Sequence, residues 1–468
     1  MPTLLWTDGL VFLLMLMVGM FVLHVRRHDH LRRPWRTVLR SRVAMASAVI
    51  LSIYLLIGFL DSLHFHPKLE NPANTETQYS TQIKSVFDVL VGHLLEQDEK
   101  TYSAPFATHQ FSKETVEGSD GTSAREYPRL KFGGAHLQDP VNDKSADVIS
   151  IILKSSLKSL LIFVLLSLVI IWRIAVKKDW LIKDVIRSVF KGETETPWLV
   201  ILMTLGVILW LLIIAWDLSH FYHIFGTDKV GQDVFYQAMK SIRTGLIIGT
   251  LTTLVMLPFA VLMGISAGYF RGWIDDVIQY IYTTLNSIPG VLLIAASILM
   301  LQVYMSNHAE SFTSLAARSD MRLLFLCIIL GVTSWTGLCR LLRGETMKLR
   351  EVDYIQAAQA FGVGNMTIII RHILPNVMHI ILISVVLDFS GLVLAEAVLS
   401  YINIGVDPSM NSWGNMINSA RMEMAREPIV WWSLAAAFVF MFVLVLAANL
   451  FSDAVRDAFD PRLREREE

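Results

Sequence analysis

The sequence has little charge, almost no cysteine and no phosphate-cradling loop. Charged residues make up 17% of its 468 positions, against roughly 25% in soluble globular chains. Only two cysteines occur, Cys327 and Cys339, in one apolar segment. A continuous helix sets them about 18 Å apart, far beyond the ~7 Å that a disulfide can bridge. They read as buried, apolar-like side chains. No Gly-x-x-x-x-Gly-Lys-Ser/Thr run is present, so ATP is not expected to bind in that manner. The Ser, His and Asp residues form no nucleophile elbow and no metal-helix spacing. Neither a catalytic residue nor a metal site is expected. The net charge of −1 hides an uneven distribution and says little about partners.

What is abundant is hydrocarbon. Hydrophobic residues are 54% of the chain, and the mean hydropathy is +0.51. Leu4 to Val25 is apolar and long enough to span a bilayer. A cleavable signal would open with basic residues. Here they follow instead, as Arg26, Arg27, Arg32, Arg33, Arg36, Arg40 and Arg42. That order places the N-terminus outside and residues 26–42 inside, beside lipid headgroups. Nucleic-acid binding is not expected of so short a juxtamembrane loop. Further spans are expected at Val43–Leu60, Leu157–Val176, Trp198–Trp216, Thr244–Tyr269, Val277–Leu301, Leu323–Leu342, Val377–Tyr401 and Ile429–Leu450. The expected fold is an all-α integral membrane protein of about nine transmembrane helices, with its C-terminus inside.

Five segments follow from this. Residues 1–60 hold a helix pair. Residues 61–147 form a hydrophilic, rather acidic, loop-rich extracytoplasmic insertion, with a helical apolar period over Gln82–Leu95 and a GSDG turn at 118–121. Residues 148–195 carry the third span and a basic amphipathic helix, Trp180 to Phe190, lying on the cytoplasmic membrane surface. Lys154 and Lys158 are expected to snorkel to the outer headgroups, with lining a vestibule as the alternative. Residues 196–455 form the main membrane part, and 456–468 a charged cytoplasmic tail. Two segments echo each other, DSLHFH (Asp61 to His66) and DLSHFYH (Asp217 to His223). Asp61, His64 and His66, with Asp217, His220 and His223, are weighed as zinc or nickel ligands against interfacial side chains. The second reading is favoured.

A polar, Ala-rich interruption between two apolar runs organises the chain: DYIQAAQAFGVGNMTIIIRHILPN, Asp353 to Asn376. It reads as a short helix stopped at Gly362, then a second helix capped by Asn365. Arg340, Arg343, Lys348, Arg350 and Arg371 place it on the cytoplasmic side. Gln356-Ala357-Ala358, Gly362 and Leu374-Pro375 resemble the "EAA" loop of ABC importer permeases, with Gln356 where that family carries Glu and His372 where it carries an aliphatic residue. GTDKVGQD (Gly226 to Asp233), AGYFRGWIDD (Ala267 to Asp276), NSWGNM (Asn411 to Met416) and VRDAFDPR (Val455 to Arg462) resemble the C-type permeases of dipeptide, oligopeptide and nickel importers. The resemblance covers about residues 196–462.

It implies a type I importer permease core, its transmembrane domain roughly at 242–453, preceded by three extra helices. It implies a heterodimer with a second permease, two cytoplasmic ABC ATPases that carry the ATP and Mg, and an extracytoplasmic solute-binding protein, all at a bacterial inner membrane. Peptides are the implied cargo. Nickel or another small solute is the alternative, and a membrane sensor or scaffold on a permease fold is a further one. Tyr354, Gln356, Ala357, Ala358, Gly362, Arg371, Leu374, Pro375 and Asn376 are the implied ATPase-coupling residues. Gly226, Thr227, Asp228, Gly231, Asp233, Trp413 and Gly414 form the outer motif. In it Thr227 or Asp228 closes a turn and Asp233 caps the next helix. Charges at mid-membrane depth are costly and tend to face a cavity or partner. Asp388 and Glu396, with Asn286 at a break in the sixth span, are therefore the translocation-path candidates, Glu396 with a packing alternative.

Overall fold

A computed structural model describes residues 2–27, 29–68, 79–117, 123–308, 310 and 314–459. The 118–121 turn and most of the C-terminal tail lie outside the described residues. Among the described residues there are nine helices long and apolar enough to cross a membrane. They are Trp6–Arg27, Arg42–Asp61, Lys144–Lys178, Trp198–Ser219, Val234–Phe270, Gly290–Asn307, Leu315–Arg350, Asn365–Tyr401 and Trp432–Phe459. Helix is the only open-ended answer to an apolar solvent, because every backbone donor and acceptor is satisfied within the segment. Contacts divide the chain into two units.

The first unit comprises Trp35–Arg243 and Asn411–Ala454. Ser41 caps the second span, accepting from the Ala44 amide at 3.4 Å. The third span is 35 residues long, about 52 Å, and exceeds the ~30 Å hydrocarbon layer. It packs along the fourth. The insertion is less helical than its period suggests. His64–Phe65 pairs with Lys84–Ser85, and the expected helix splits into Val86–Leu90 and Gly92–Glu96. The reason is local. Ser85 and Asp88 form a reciprocal capping box that fixes the start of the first piece, and Leu90, expected on the apolar face, is 51% exposed. A hairpin, Glu114–Glu117 with Ser123–Glu126, completes it. The basic surface helix is Ile182–Lys191; Val185 and Val189 pack against Ala175 and Leu202, while Ile182 and Phe190 stay exposed.

The second unit comprises Pro2–Pro34, Thr244–Met410 and the chain from Val455. The two spans expected as an N-terminal pair thus fall in different units. The first packs on Leu315–Ser334, where Asp320 accepts from the Thr7 amide at 3.1 Å and from the Thr7 hydroxyl. Cys327 and Cys339 are both buried and free, in successive helices. The expected sixth span is corrected. Ile288 and Pro289 separate a 15-residue helix, Trp273–Ser287, from the span Gly290–Asn307. Proline lacks a donor and restricts the residue before it, so the helix restarts rather than bends.

Candidate functional site

The candidate coupling stretch opens on helix Asp353–Ala360 and turns at Gly362, whose φ is +76°. Only glycine takes that conformation without strain. The second helix, Asn365–Ile368, is preceded by Gly364 as its cap, not by Asn365. Asn365 instead accepts from the Tyr269 hydroxyl at 3.0 Å. Nor is that helix a separate piece. It runs through a π-helical turn, Ile369–Ile373, into Leu374–Tyr401. Pro375 requires this: in an α-helix its ring would meet the carbonyl four residues earlier. The wider turn moves that carbonyl away, and the Leu374 amide bonds to the Ile369 carbonyl.

Three isoleucines pin the loop. Ile355, Ile368 and Ile373 are each 0% exposed, in a cluster with Tyr269, Ile278, Tyr282 and Leu342. Sequence reasoning missed them, because isoleucine in so apolar a chain carries no distinguishing signal. Polar clamps flank the cluster. Arg343 holds Asp275 with two bonds of 2.5 and 2.7 Å. That pairing keeps the Asp275 carboxyl below its usual range. Arg271 meets Glu351 at 2.5 Å, and Arg350 donates to the Tyr269 carbonyl at 2.8 Å. These contacts explain the AGYFRGWIDD stretch. Its Gly268, with Gly264 one turn before, lies against helix Thr336–Arg350 so closely that a Cβ would stand 2.6 and 2.8 Å from the Arg343 and Cys339 carbonyls.

Opposite the anchors, the loop presents an outward face. Phe361 is 88% exposed, Met366 66%, Ile370 62% and Tyr354 44%. Gln356, Ala357 and Arg371 are exposed beside them, and Ala358 and Leu374 are half-buried. Asn376, next to exposed Pro375, donates to the Tyr354 hydroxyl at 3.0 Å and to the His372 carbonyl at 2.6 Å. It ties the first helix to the start of the span.

The path candidates occupy different settings. Asp388 is half-buried and makes no hydrogen bond or ion pair among the described residues. Glu396 is 1% exposed and accepts from Ser400 at 2.7 Å; Ser400 in turn accepts from the Val406 amide. Glu396 thus braces the turn that ends its helix. Asn286 is exposed and accepts from Thr336 at 3.1 Å.

The outer motif lies in the first unit. Asp228 closes its turn by accepting from the Val230 and Gln232 amides, both at 2.9 Å. Asp233 caps the fifth span through the Tyr236 amide at 3.1 Å and holds His223 at 2.7 Å. Glu99, from the insertion, lies 3.6 Å from the other His223 nitrogen. Burial opposes a charged imidazole, but the two carboxylates prevail and raise His223 to about 9. Burial likewise opposes a charged Glu99. The His223 imidazolium nearby and the amides of Lys131, Phe132 and Gly133 outweigh it and hold this carboxyl below its usual range. Trp413 is 1% exposed and donates to the Ala238 carbonyl at 3.0 Å, with Gly414 buried beside it.

The aspartate–histidine echoes take other partners: Asp61 accepts from Ser85 at 2.6 Å, Asp217 from Lys158 and Ser155, and His220 stacks on His93. Among the described residues no group of three or more His, Cys, Asp or Glu side chains is gathered to hold a metal ion.

Residues 260–465 match the family model of the binding-protein-dependent transport system inner membrane component. The chain is 32% identical over 244 residues to the glutathione transport system permease protein GsiD of Pectobacterium atrosepticum, covering 52% of this chain and 73% of that one. This chain belongs to that permease family. It is 31% identical over 242 residues to the oligopeptide transport system permease protein OppC of Mycobacterium tuberculosis, covering 52% and 77%. Against the dipeptide transport system permease protein DppC of Bacillus subtilis the identity is 29% over 242 residues, covering 52% and 69%. The permease is a multi-pass inner-membrane transport subunit, and ATP hydrolysis falls to partner subunits.

Proposed function

We propose that this permease moves peptides inward as one half of a heterodimeric pore. Two cytoplasmic ABC ATPases, holding ATP and Mg, drive it, and an extracytoplasmic binding protein delivers the cargo. The observation that carries this reading is the coupling loop. Its buried isoleucines fix it to the membrane helices while Tyr354, Phe361, Met366 and Ile370 project outward. Aromatic and methionine side chains so exposed on a polar loop suit a protein partner. ATP-driven closure of the partners would push on this rigid face and rock the spans between outward and inward openings. The cargo follows from the glutathione, oligopeptide and dipeptide names of the relatives. Asp388, without a hydrogen-bond or ion-pair partner among the described residues, is the residue we assign to the path, where it meets the amino end of a passing peptide. The N-terminus lies outside and the C-terminus inside.

The test is uptake by vesicles holding the purified complex, with labelled di- and oligopeptides and ATP on the ATPase side. Accumulation that requires both ATP and binding protein is expected. Binding-protein-stimulated ATP turnover without peptide accumulation would overturn the cargo.

A further inference from the structure

We infer that the binding protein meets this permease on the insertion between the second and third spans, which overlies the buried part of the outer-face motif. This rests on the reading above of a binding-protein-dependent subunit. A partner can touch only what is exposed. Thr227 is 0% exposed and Asp233 2%; the insertion bonds along the backbone of their turn and leaves Lys229, Val230 and Gln232 exposed at its tip. The Glu99 amide donates to the Gly231 carbonyl at 3.0 Å, the Thr227 amide to Ser103 at 3.1 Å, and the Phe106 amide to His223 at 2.9 Å. The Ser103 amide donates to the Thr227 hydroxyl at 2.7 Å, and that hydroxyl to the Thr101 carbonyl at 2.8 Å. Tyr102 closes the other side, donating to Glu423 at 3.1 Å with Arg426 over its ring.

Uncovering the motifs would strand these backbone groups and free the charged Glu99 from its three amides. Buried polar groups resist that. The cover is therefore part of the folded unit, and its outer side is what a soluble protein encounters. That side has the chemistry of an interface. Tyr127 is 51% exposed, with the Lys113 ammonium 5.4 Å from its ring centroid. Arg125 and Lys131 are exposed nearby in the chain, with one exposed carboxylate, Glu126, among them, while Arg129 is tied to the Gly134, Ala135 and Leu137 carbonyls. Tyrosine and arginine are enriched where proteins bind one another, and this set calls for an acidic face on the binding protein.

The test uses the assembled complex in vesicles with its purified binding protein. A photo-crosslinking residue is placed at Ser112, Lys131 or, on the motif side, exposed Met422. Crosslinks to the binding protein from Ser112 or Lys131 are expected. Charge reversal, Lys113→Glu with Arg125→Glu, should raise the binding-protein concentration for half-maximal ATP turnover by about tenfold at low salt. Crosslinks from Met422 alone, or turnover indifferent to the reversal, would overturn the inference. If the binding protein stimulates no turnover even with the unaltered permease, the underlying reading falls instead.

Discussion

The cover over the outer motif hangs on one glycine. Gly231 has a φ of +83°, and a Cβ there would stand 1.8 Å from the Glu99 carbonyl oxygen and 2.4 Å from its carbon. Both are backbone atoms, so no side chain can swing aside. Gly231→Ala must push the Glu99 strand outward by more than an ångström. The left-handed conformation alone costs alanine about 1–2 kcal/mol. The displaced strand loses the Glu99-to-Gly231 backbone bond, worth ~1 kcal/mol, and loosens the amides around the charged Glu99, worth about 1.5–3 kcal/mol each. A local destabilisation of roughly 3–5 kcal/mol follows, enough to speed local-opening exchange by about two to three and a half orders of magnitude. Hydrogen exchange with mass spectrometry on the purified complex reads this directly. Peptides carrying the Glu99, Phe106 and Gly134 amides should lose protection while those from Leu315–Ser334 keep theirs. Gly362→Ala is the internal control. It shares a positive φ of +76° but meets nothing within 4 Å, so its effect should be local and near 1–2 kcal/mol. Unchanged protection around Glu99 in Gly231→Ala would refute the cover as described.

Four further outcomes are expected. Gly362→Val should abolish stimulated ATP turnover while the permease still inserts, since a branched side chain resists a positive φ; normal turnover would remove the coupling role. The seating of the insertion should depend on pH. The raised His223 contributes stability that is complete below about pH 6.5 and lost as pH rises through about 9, whereas the lowered Glu99 contributes above the ordinary carboxylate range and is lost in acid. Exchange protection at the Phe106 amide should therefore be highest at mildly acidic pH, and a flat profile from pH 6 to 10 would contradict the charged imidazole. Asp388→Asn should slow uptake of free-amine peptides more than of N-acetylated ones at unchanged thermal stability, whereas an equal effect on both would remove Asp388 from the path. Single cysteines at Ser112 and Glu193, in a background lacking Cys327 and Cys339, should label from outside and only after permeabilisation, respectively; the reverse pattern would invert the membrane orientation.

Span number and order were legible because eighteen or more apolar residues in a row have few other fates. Span edges were less so. Val234–Phe270 begins ten residues before the expected Thr244, since polar helix formers continue a helix as readily as apolar ones. Local chemistry was legible at Asp228 and Asp233, whose turn and cap act on amides a few residues away. The cover was not. Ser103 and Thr227 are 124 positions apart, and no periodicity reports contacts at that range. The coupling loop was legible as punctuation, through its alanines and Gly362. Its anchors were not, and neither was the π-turn before Pro375.

That turn leaves a trace in phase. Ile368, Ile373, Val377 and Ile381 are buried on one side, at spacings of five, four and four. A regular α-helix advances about 100° per residue, so a spacing of five would swing Ile368 well away from the others. The surplus residue in the π-turn absorbs the difference. The apolar stripe crosses Pro375 unbroken, at the cost of one added residue upstream of the span. The bearing of the whole coupling face about the axis of Leu374–Tyr401 is consequently set by a single-residue frameshift. Deleting one residue from Ile369–Ile373 and straightening the helix would keep the stripe in register. Straightening it without the deletion would turn Ile368 out of the core and carry Phe361 and Met366 round with it.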